Sequence, residues 1–365
     1  LSREPKTGII VLSAAAAADT IECFAALKKL RYNNRRVVLA AHGAAQKHLP
    51  RVLRAHPGLE ALRIGDVGPI TAVNEAIRHF LAAGDCEFIL VLSGESVADP
   101  DMLSQLVTAS KSWPAAAAFG AKALFYEMPD TVRSLGGAID TKLGLGADYC
   151  VYDRDEAGVG RAREVDYISG ATILFRADAL AEVGLPDETY YDYLADVDWC
   201  ERARCAGFCV VAEPEARAWV KNREATGPLK ALYLEFRNRP IFMIEHYPEN
   251  MPEFETHYIE EVRRGICDNF RTGRPRLAAA VWLGFDDFCE GRLGLGRLDT
   301  LVASRGVAQW DLNAYDRTML RAAALLGKIP FRNRLLSRFR RALCERLAEY
   351  PEIIHTAQNE MEHTG

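Results

Sequence analysis

The sequence predicts an α/β protein: a mostly parallel sheet with helices on both faces, followed by a helical C-terminal region. Three observations predict it. Short apolar runs at residues 8–13, 36–41 and 87–92 are each bounded by turn-formers, as strands buried on both faces are. Between them lie segments whose apolar residues recur at helical spacing, such as Ile21, Phe24, Ala25 and Leu27. From about residue 228 the strand signals stop and helical ones run to the end.

Residues 8–13 read as the first strand, 20–30 as a helix, 36–41 as the second strand and 48–56 as a short basic helix. A short strand at 62–64, a helix at 70–83 and a third strong strand at 87–92 follow. Residues 115–124 and 133–138 look like strands, and the Gly- and Asp-rich stretch 140–163 like loops around a hairpin. Next come a strand at 172–175, a helix at 177–183 stopped by Gly184 and Pro186, and a helix at 196–206 ended by Gly207. A strand at 208–212 is expected to end at Pro214. The remaining helices are 229–247, broken at Pro240, then 252–270, 275–291, 311–326 and 334–348. A chain of 365 residues exceeds one ordinary core. The division expected is an α/β domain at 1–227, with halves at about 1–100 and 101–227, and a helical region at 228–365.

Composition narrows the class of partner. With 49% apolar and 26% charged residues, the chain has the profile of a soluble globular protein. A formal net charge of −5 argues against a nucleic-acid partner. No segment reaches the roughly 18 apolar residues of a membrane span. Nine cysteines, an odd number with no Cys-x-x-Cys, read as reduced thiols of a cytoplasmic protein. Cys200, Cys205 and Cys209 lie on or beside one helix without a nearby His, and read as small hydrophobes rather than a metal cluster.

The chemistry concentrates between residues 166 and 218. Asp166-Tyr-Ile-Ser-Gly-Ala171 is followed by Tyr191-Asp-Tyr-Leu-Ala-Asp196-Val-Asp198-Trp-Cys-Glu-Arg202, which sets two carboxylates two apart at the start of a helix. A carboxylate there suits general-base work. Helix capping, which stabilises by ~1 kcal/mol, accounts for the same residues.

These motifs resemble the acceptor-side half of inverting family-2 glycosyltransferases with the GT-A fold, which carry Ser-Gly-Ala, a strand and Arg, then Glu-Asp-x-Asp with Arg four residues later. Gly68-Pro-Ile-Thr-Ala-Val-Asn74 is similar to the family's Gly-x-x-x-Ala-x-Asn segment. Phe236-Arg237-Asn238-Arg239 and the tail Leu283-Gly-Phe-Asp-Asp-Phe-Cys-Glu-Gly-Arg-Leu-Gly294 resemble rhamnosyl- and galactofuranosyl-transferase-like members. The resemblance covers about residues 8–297.

The resemblance implies a nucleoside-diphosphate sugar of dTDP or UDP type as donor, lying across the carboxyl ends of the first strands. It implies Asp196 as the base, with Asp198 orienting it or binding acceptor. Ser13, His42, Gly68, Asn74, Ser93, Glu95, Ser169, Gly170, Lys221, Arg223 and Arg237 fall on the donor side. Gly137 and Trp199 fall on the acceptor side, with Trp219 a further aromatic that could stack on a sugar. Three family positions differ. The second strand ends Ala40-Ala41-His42-Gly43, without the Asp that contacts the base. The Asp-x-Asp metal motif becomes Ser93-Gly94-Glu95-Ser96, with Glu95 alone at the metal position and Asp99 and Asp101 readable as caps of the next helix. The metal-binding His becomes Val220, followed by Lys221 and Arg223. Either Mg2+ or Mn2+ binds through Glu95 and the donor phosphates, or no metal is required and protein cations stabilise the leaving group.

Residues 331–347 carry six arginines beside an apolar face. Such a helix can lie on an anionic membrane, which suits a lipid-linked sugar acceptor and a peripheral place at the inner membrane face. It can equally pack on the body or on a second subunit of a homodimer. A catalytically inactive GT-A-fold sugar-nucleotide-binding or scaffold protein is the alternative: Ala41, Ala195 and Val220 favour it, while Asp196, Asp198 and Arg237-Asn238 oppose it. A nucleotidyltransferase ranks last, since residues 13–18 offer no Gly-rich cationic loop.

Overall fold

The computed structural model describes residues 4–155, 160–221, 227–296 and 298. The helices expected at 311–326 and 334–348, and the basic segment 331–347, lie outside the described residues. The chain divides into two compact units: Leu1–Asp140 with Leu145–Ala225, and Thr141–Gly144 with Thr226–Gly365.

The first unit has the expected α/β class. It opens with β1 (Thr7–Leu12), α1 (Ala17–Leu27), β2 (Arg35–Ala41), α2 (Leu49–Ala55), β3 (Glu60–Arg63), α3 (Pro69–Ala83) and β4 (Phe88–Ser93). There follow β5 (Ser96–Ala98), α4 (Met102–Ser112), β6 (Ala116–Phe125), β7 (Val132–Ser134), β8 (Gly137–Asp140), β9 (Leu145–Asp148) and β10 (Arg163–Glu164). It closes with β11 (Thr172–Arg176), α5 (Ala177–Val183), α6 (Ala195–Cys205) and β12 (Cys209–Val220).

The main sheet runs in the order β10-β12-β6-β11-β4-β1-β2-β3. β4, β1, β2 and β3 are parallel, β11 runs antiparallel between β4 and β6, and β12 returns parallel to β6. Ile9, Ile10, Val11, Leu90 and Leu92 are buried, which is why β1 and β4 read as unbroken apolar runs. Gly94 lets the chain leaving β4 cross the end of β1. A Cβ there would lie 2.6 Å from the Leu12 carbonyl oxygen, whose bond with the Gly94 N–H is 2.8 Å long.

Pro214 does not end the strand at 208–212 as expected. β12 continues to Val220 because its register against β6 shifts between Glu213 and Arg217. Pro214 sits in that bulge, where no ladder N–H is needed. Beyond it, Ala218–Val220 pair with both β6 and the short β5, which the sequence reading did not anticipate. The strand expected at 133–138 is two pieces, β7 and β8, separated at Gly136, whose φ of +66° turns the chain.

The second unit contains α7 (Gly227–His246), α8 (Met251–Arg271) and α9 (Pro275–Glu290). Pro240 does not break α7. Proline has no N–H for the Phe236 carbonyl one turn back. The Tyr258 hydroxyl of α8 donates to that carbonyl instead. Gly284 brings α9 against α7: a Cβ there would collide with the Tyr233 carbonyl oxygen and lie 3.3 Å from the Arg237 nitrogen. Around this contact the Tyr233 hydroxyl donates to Asp287 at 2.9 Å, and Arg237 donates to Asn238 Oδ1 at 2.8 Å and to the Gly294 carbonyl.

Two substitutions test this account of the helical unit. Tyr258→Phe should cost about 1–3 kcal/mol by leaving the buried Phe236 carbonyl without its donor. Gly284→Ala should cost about 1–3 kcal/mol by overpacking the α7–α9 contact. Urea unfolding followed through the helical signal measures both; an unchanged midpoint for either variant would contradict the corresponding contact.

Candidate active site

The carboxyl ends of β1, β2 and β4 come together. Ser13 follows β1 and donates its backbone N–H to the Ala40 carbonyl at 3.1 Å. Its hydroxyl accepts the His42 N–H at 3.4 Å. His42 Nδ1 lies 3.3 Å from the Val67 carbonyl, an acceptor, so that nitrogen carries the proton. After β4, the Ser93 hydroxyl accepts the Glu95 N–H at 3.2 Å, and the Ser93 N–H donates to the Ala171 carbonyl at 3.1 Å. Thus the turn Ser169-Gly170-Ala171 is fastened to the end of β4. The antiparallel run of β11 beside β4 puts it there.

Asp196 meets this turn from the other side. It lies in the first turn of α6, and one carboxylate oxygen accepts the Gly170 N–H at 2.6 Å. The other accepts the Val197 N–H at 2.9 Å. A Cβ at Gly170 would lie 3.2 Å from the carboxylate, so glycine permits the approach. Burial pushes the Asp196 carboxyl up to about 6, against the lowering effect of its backbone donors. Asp198 differs. It is buried and paired with Arg202 at 2.9 Å, while Arg202 also donates to the carbonyls of Val183 and Leu185. One carboxylate is poised to titrate and the other is held as an ion pair.

Other residues singled out from sequence have structural partners. Asn74 is buried and donates to the Pro186 carbonyl at 2.8 Å and to Glu188 at 2.9 Å. The Gly68 backbone lies under the Tyr191 ring, 2.7 Å from where a Cβ would stand. Gly137 similarly lies under the Tyr167 ring. Trp199 is fully buried, donates to the Gly184 carbonyl at 2.7 Å and stands edge-on to Phe175 at 4.6 Å. It therefore packs as core and offers no face to a sugar. Trp219 donates to the Pro129 carbonyl at 3.0 Å.

The cations assigned to the donor are committed within the fold. Lys221 is buried and ion-paired with Asp19 at 2.8 Å and with Glu22, whose other oxygen accepts the Tyr126 hydroxyl at 2.7 Å. Burial works against the Lys221 charge, but the two carboxylates outweigh it and raise the ammonium above its ordinary range. Arg237 is fully buried in the helical unit among Asn238 and Gly294. Both cations expected on the donor side are thus already engaged, Lys221 by carboxylates and Arg237 by burial. Arg223 lies outside the described residues. At the metal position Glu95 is buried, and its carbonyl accepts the Lys221 N–H at 3.2 Å. A single carboxylate fits Mg2+ or Mn2+ where donor phosphates and water complete the shell.

Asp99 caps the turn before α4, accepting the Asp101 N–H at 2.8 Å, and Asp101 pairs with Arg31 at 2.6 Å. Sequence reasoning missed Asp19, Glu22 and Glu188, which sit in no recognisable motif, and gave Tyr191 no role, because the partners of all four are distant in the chain. Among the described residues the cysteines are free thiols, and no helix is long and apolar enough to cross a membrane.

Residues 5–239 match the family described as glycosyltransferase like family 2. The chain is 26% identical over 230 residues to the N-acetylglucosaminyl-diphospho-decaprenol L-rhamnosyltransferase of Mycobacterium tuberculosis, in strains CDC 1551 / Oshkosh and ATCC 25618 / H37Rv, covering 58% of this chain and 75% of that protein. Among solved structures it is similar to a mannosyltransferase from Pyrobaculum calidifontis in complex with GDP-Man and Mn2+, with a TM-score of 0.46 and 15% identity over 79% of this chain and 88% of that one. It is also similar to GalNAc-T7 with UDP, GalNAc and Mn2+, with a TM-score of 0.49 and 10% identity over 60% of this chain and 43% of that one. The sheet topology agrees with the GT-A arrangement that the sequence motifs implied. The family match spans well over half of the chain, and the protein is a glycosyltransferase of family 2.

Proposed function

We propose that the protein transfers a sugar, with inversion, from a nucleoside diphosphate of dTDP or UDP type to a hydroxyl of a sugar or lipid-linked acceptor, in polysaccharide or glycoconjugate biosynthesis. The observation that carries this reading is Asp196: a carboxylate that burial pushes up to about 6, held 2.6 Å from the Gly170 nitrogen at the carboxyl-end face of the sheet. A base tuned toward the working pH is well suited to take a hydroxyl proton. The acceptor oxygen then bonds to the anomeric carbon as the bond to the diphosphate oxygen breaks on the opposite side, and the diphosphate leaves with the bonding pair. Asp198, neutralised by Arg202, holds the first turns of α6 and so the direction of Asp196. If a divalent metal takes part, Glu95 would hold it together with the donor phosphates, and it would offset the charge of the leaving group. Ser13, His42 and the Gly68 end of α3 line the donor side. The rhamnosyltransferase relative supports a deoxysugar donor and a lipid-linked acceptor. Such an acceptor would bring a cytoplasmic enzyme to the membrane surface, with segment 331–347 as the contact.

Calorimetric titration of UDP, dTDP and GDP, each with Mn2+ and with EDTA, tests the donor side. We expect one nucleotide to bind. Binding lost in EDTA would assign a metal to Glu95, binding that survives would make the transfer metal-independent, and no binding would favour the non-catalytic scaffold. The base is tested by pH. Because the proton must be off Asp196 for it to accept another, kcat should fall as pH drops through about 6. Asp196→Asn should lower kcat by roughly 10²–10⁴-fold and remove that acidic limb. An unchanged profile would exclude Asp196 as the base.

A further inference from the structure

The segment leading into α6 has an unusual backbone. Tyr191 has φ +65° and Leu194 φ +71°, although neither is glycine. Side chains of this size rarely enter that region, and such conformations persist where surrounding structure over-determines them. The surroundings here are on α3. Glu188 accepts hydrogen bonds from Asn74 at 2.9 Å, from the Thr71 hydroxyl at 2.9 Å and from Arg78 at 3.3 Å. Asn74 also donates to the Pro186 carbonyl, and the Tyr191 carbonyl accepts the Ile70 N–H at 3.3 Å. That N–H belongs to the first turn of α3, which has no partner within its own helix. The Tyr191 ring closes over Gly68, so any side chain at 68 would displace it. Asp187 caps the short turn between these anchors by accepting the Thr189 N–H at 2.8 Å.

We infer that Glu188 and Tyr191 are positioning residues for Asp196, forming a strut that transmits the placement of the α3 N-terminus to the base. The inference rests on the reading of Asp196 as that base. The bonds of the strut named above run to α3. It acts by holding the left-handed turns at Tyr191 and Leu194, from which the first turn of α6 starts, with the Asp198 N–H bonded to the Leu194 carbonyl at 2.8 Å. Because α3 starts directly after Gly68, on the donor side, anything that shifts this helix end also shifts the base.

Two readouts test it on the full chain. The first needs no turnover: hydrogen exchange of the Gly170 amide, which reports its bond to Asp196. Glu188→Ala should speed that exchange by roughly tenfold or more, a loss of about 1.4 kcal/mol in local protection, while Leu90 in the central strand stays protected. Glu188→Gln, which keeps an acceptor for Asn74, should restore most of the protection. The second readout is kinetic. Glu188→Ala should lower kcat roughly 10- to 100-fold with the donor KM little changed, and Glu188→Gln should recover it. Unchanged Gly170 protection in Glu188→Ala would overturn the strut, as would equal loss in the Ala and Gln variants. If the wild-type protein transfers no sugar, the functional reading fails and the exchange measurement still decides the strut.

Discussion

The candidate site depends on one insertion: β11 lies antiparallel between β4 and β6 in an otherwise largely parallel arrangement. That direction brings its entry turn, not its exit, to the carboxyl ends of β1 and β4. The Ala171 carbonyl then accepts the Ser93 N–H, and the Gly170 N–H points at Asp196. Were β11 parallel to its neighbours, this turn would sit at the opposite edge and Asp196 would lose its Gly170 donor. The end of β4 and Asp196 are thereby held through two consecutive residues, Gly170 and Ala171.

The charges of the first unit fall into two kinds. Asp198 with Arg202, and Lys221 with Asp19 and Glu22, are neutralised where they are buried, as removal from water requires. Asp196 accepts the backbone N–H groups of Gly170 and Val197, which stabilise its charge less fully than burial opposes it. Paired groups hold shape, while the less compensated one is left with a proton affinity useful for chemistry. By the same measure Lys221 is neutralised by its carboxylates, and Arg237 is enclosed, although the sequence reads either as a phosphate cation.

The helical unit shows how motif residues can be architectural. Gly284 admits the α7 backbone, Asp287 receives the Tyr233 hydroxyl, and Gly294 offers its carbonyl to Arg237. These residues form one buried contact between α7, α9 and the turn after α9. Tyr258 repairs the bond that Pro240 forfeits, so a residue expected to break a helix is accommodated by a donor from its neighbour.

The linear sequence by itself determined the α/β class, the order of strands and helices through β4, and the place of Asp196 in a helix's first turn. Those features follow from local causes: apolar periodicity, glycine stops and motif spacing act over a few residues. Tertiary structure decided what those causes cannot reach. It carried β12 through Pro214 by a bulge against β6, and α7 through Pro240 by a hydroxyl from α8. It also enclosed Lys221, buried Trp199 and placed Glu188 and Tyr191 against α3. In each case the deciding partner is distant in the chain, and whether a polar group is saturated depends on which partner folding brings within hydrogen-bond reach.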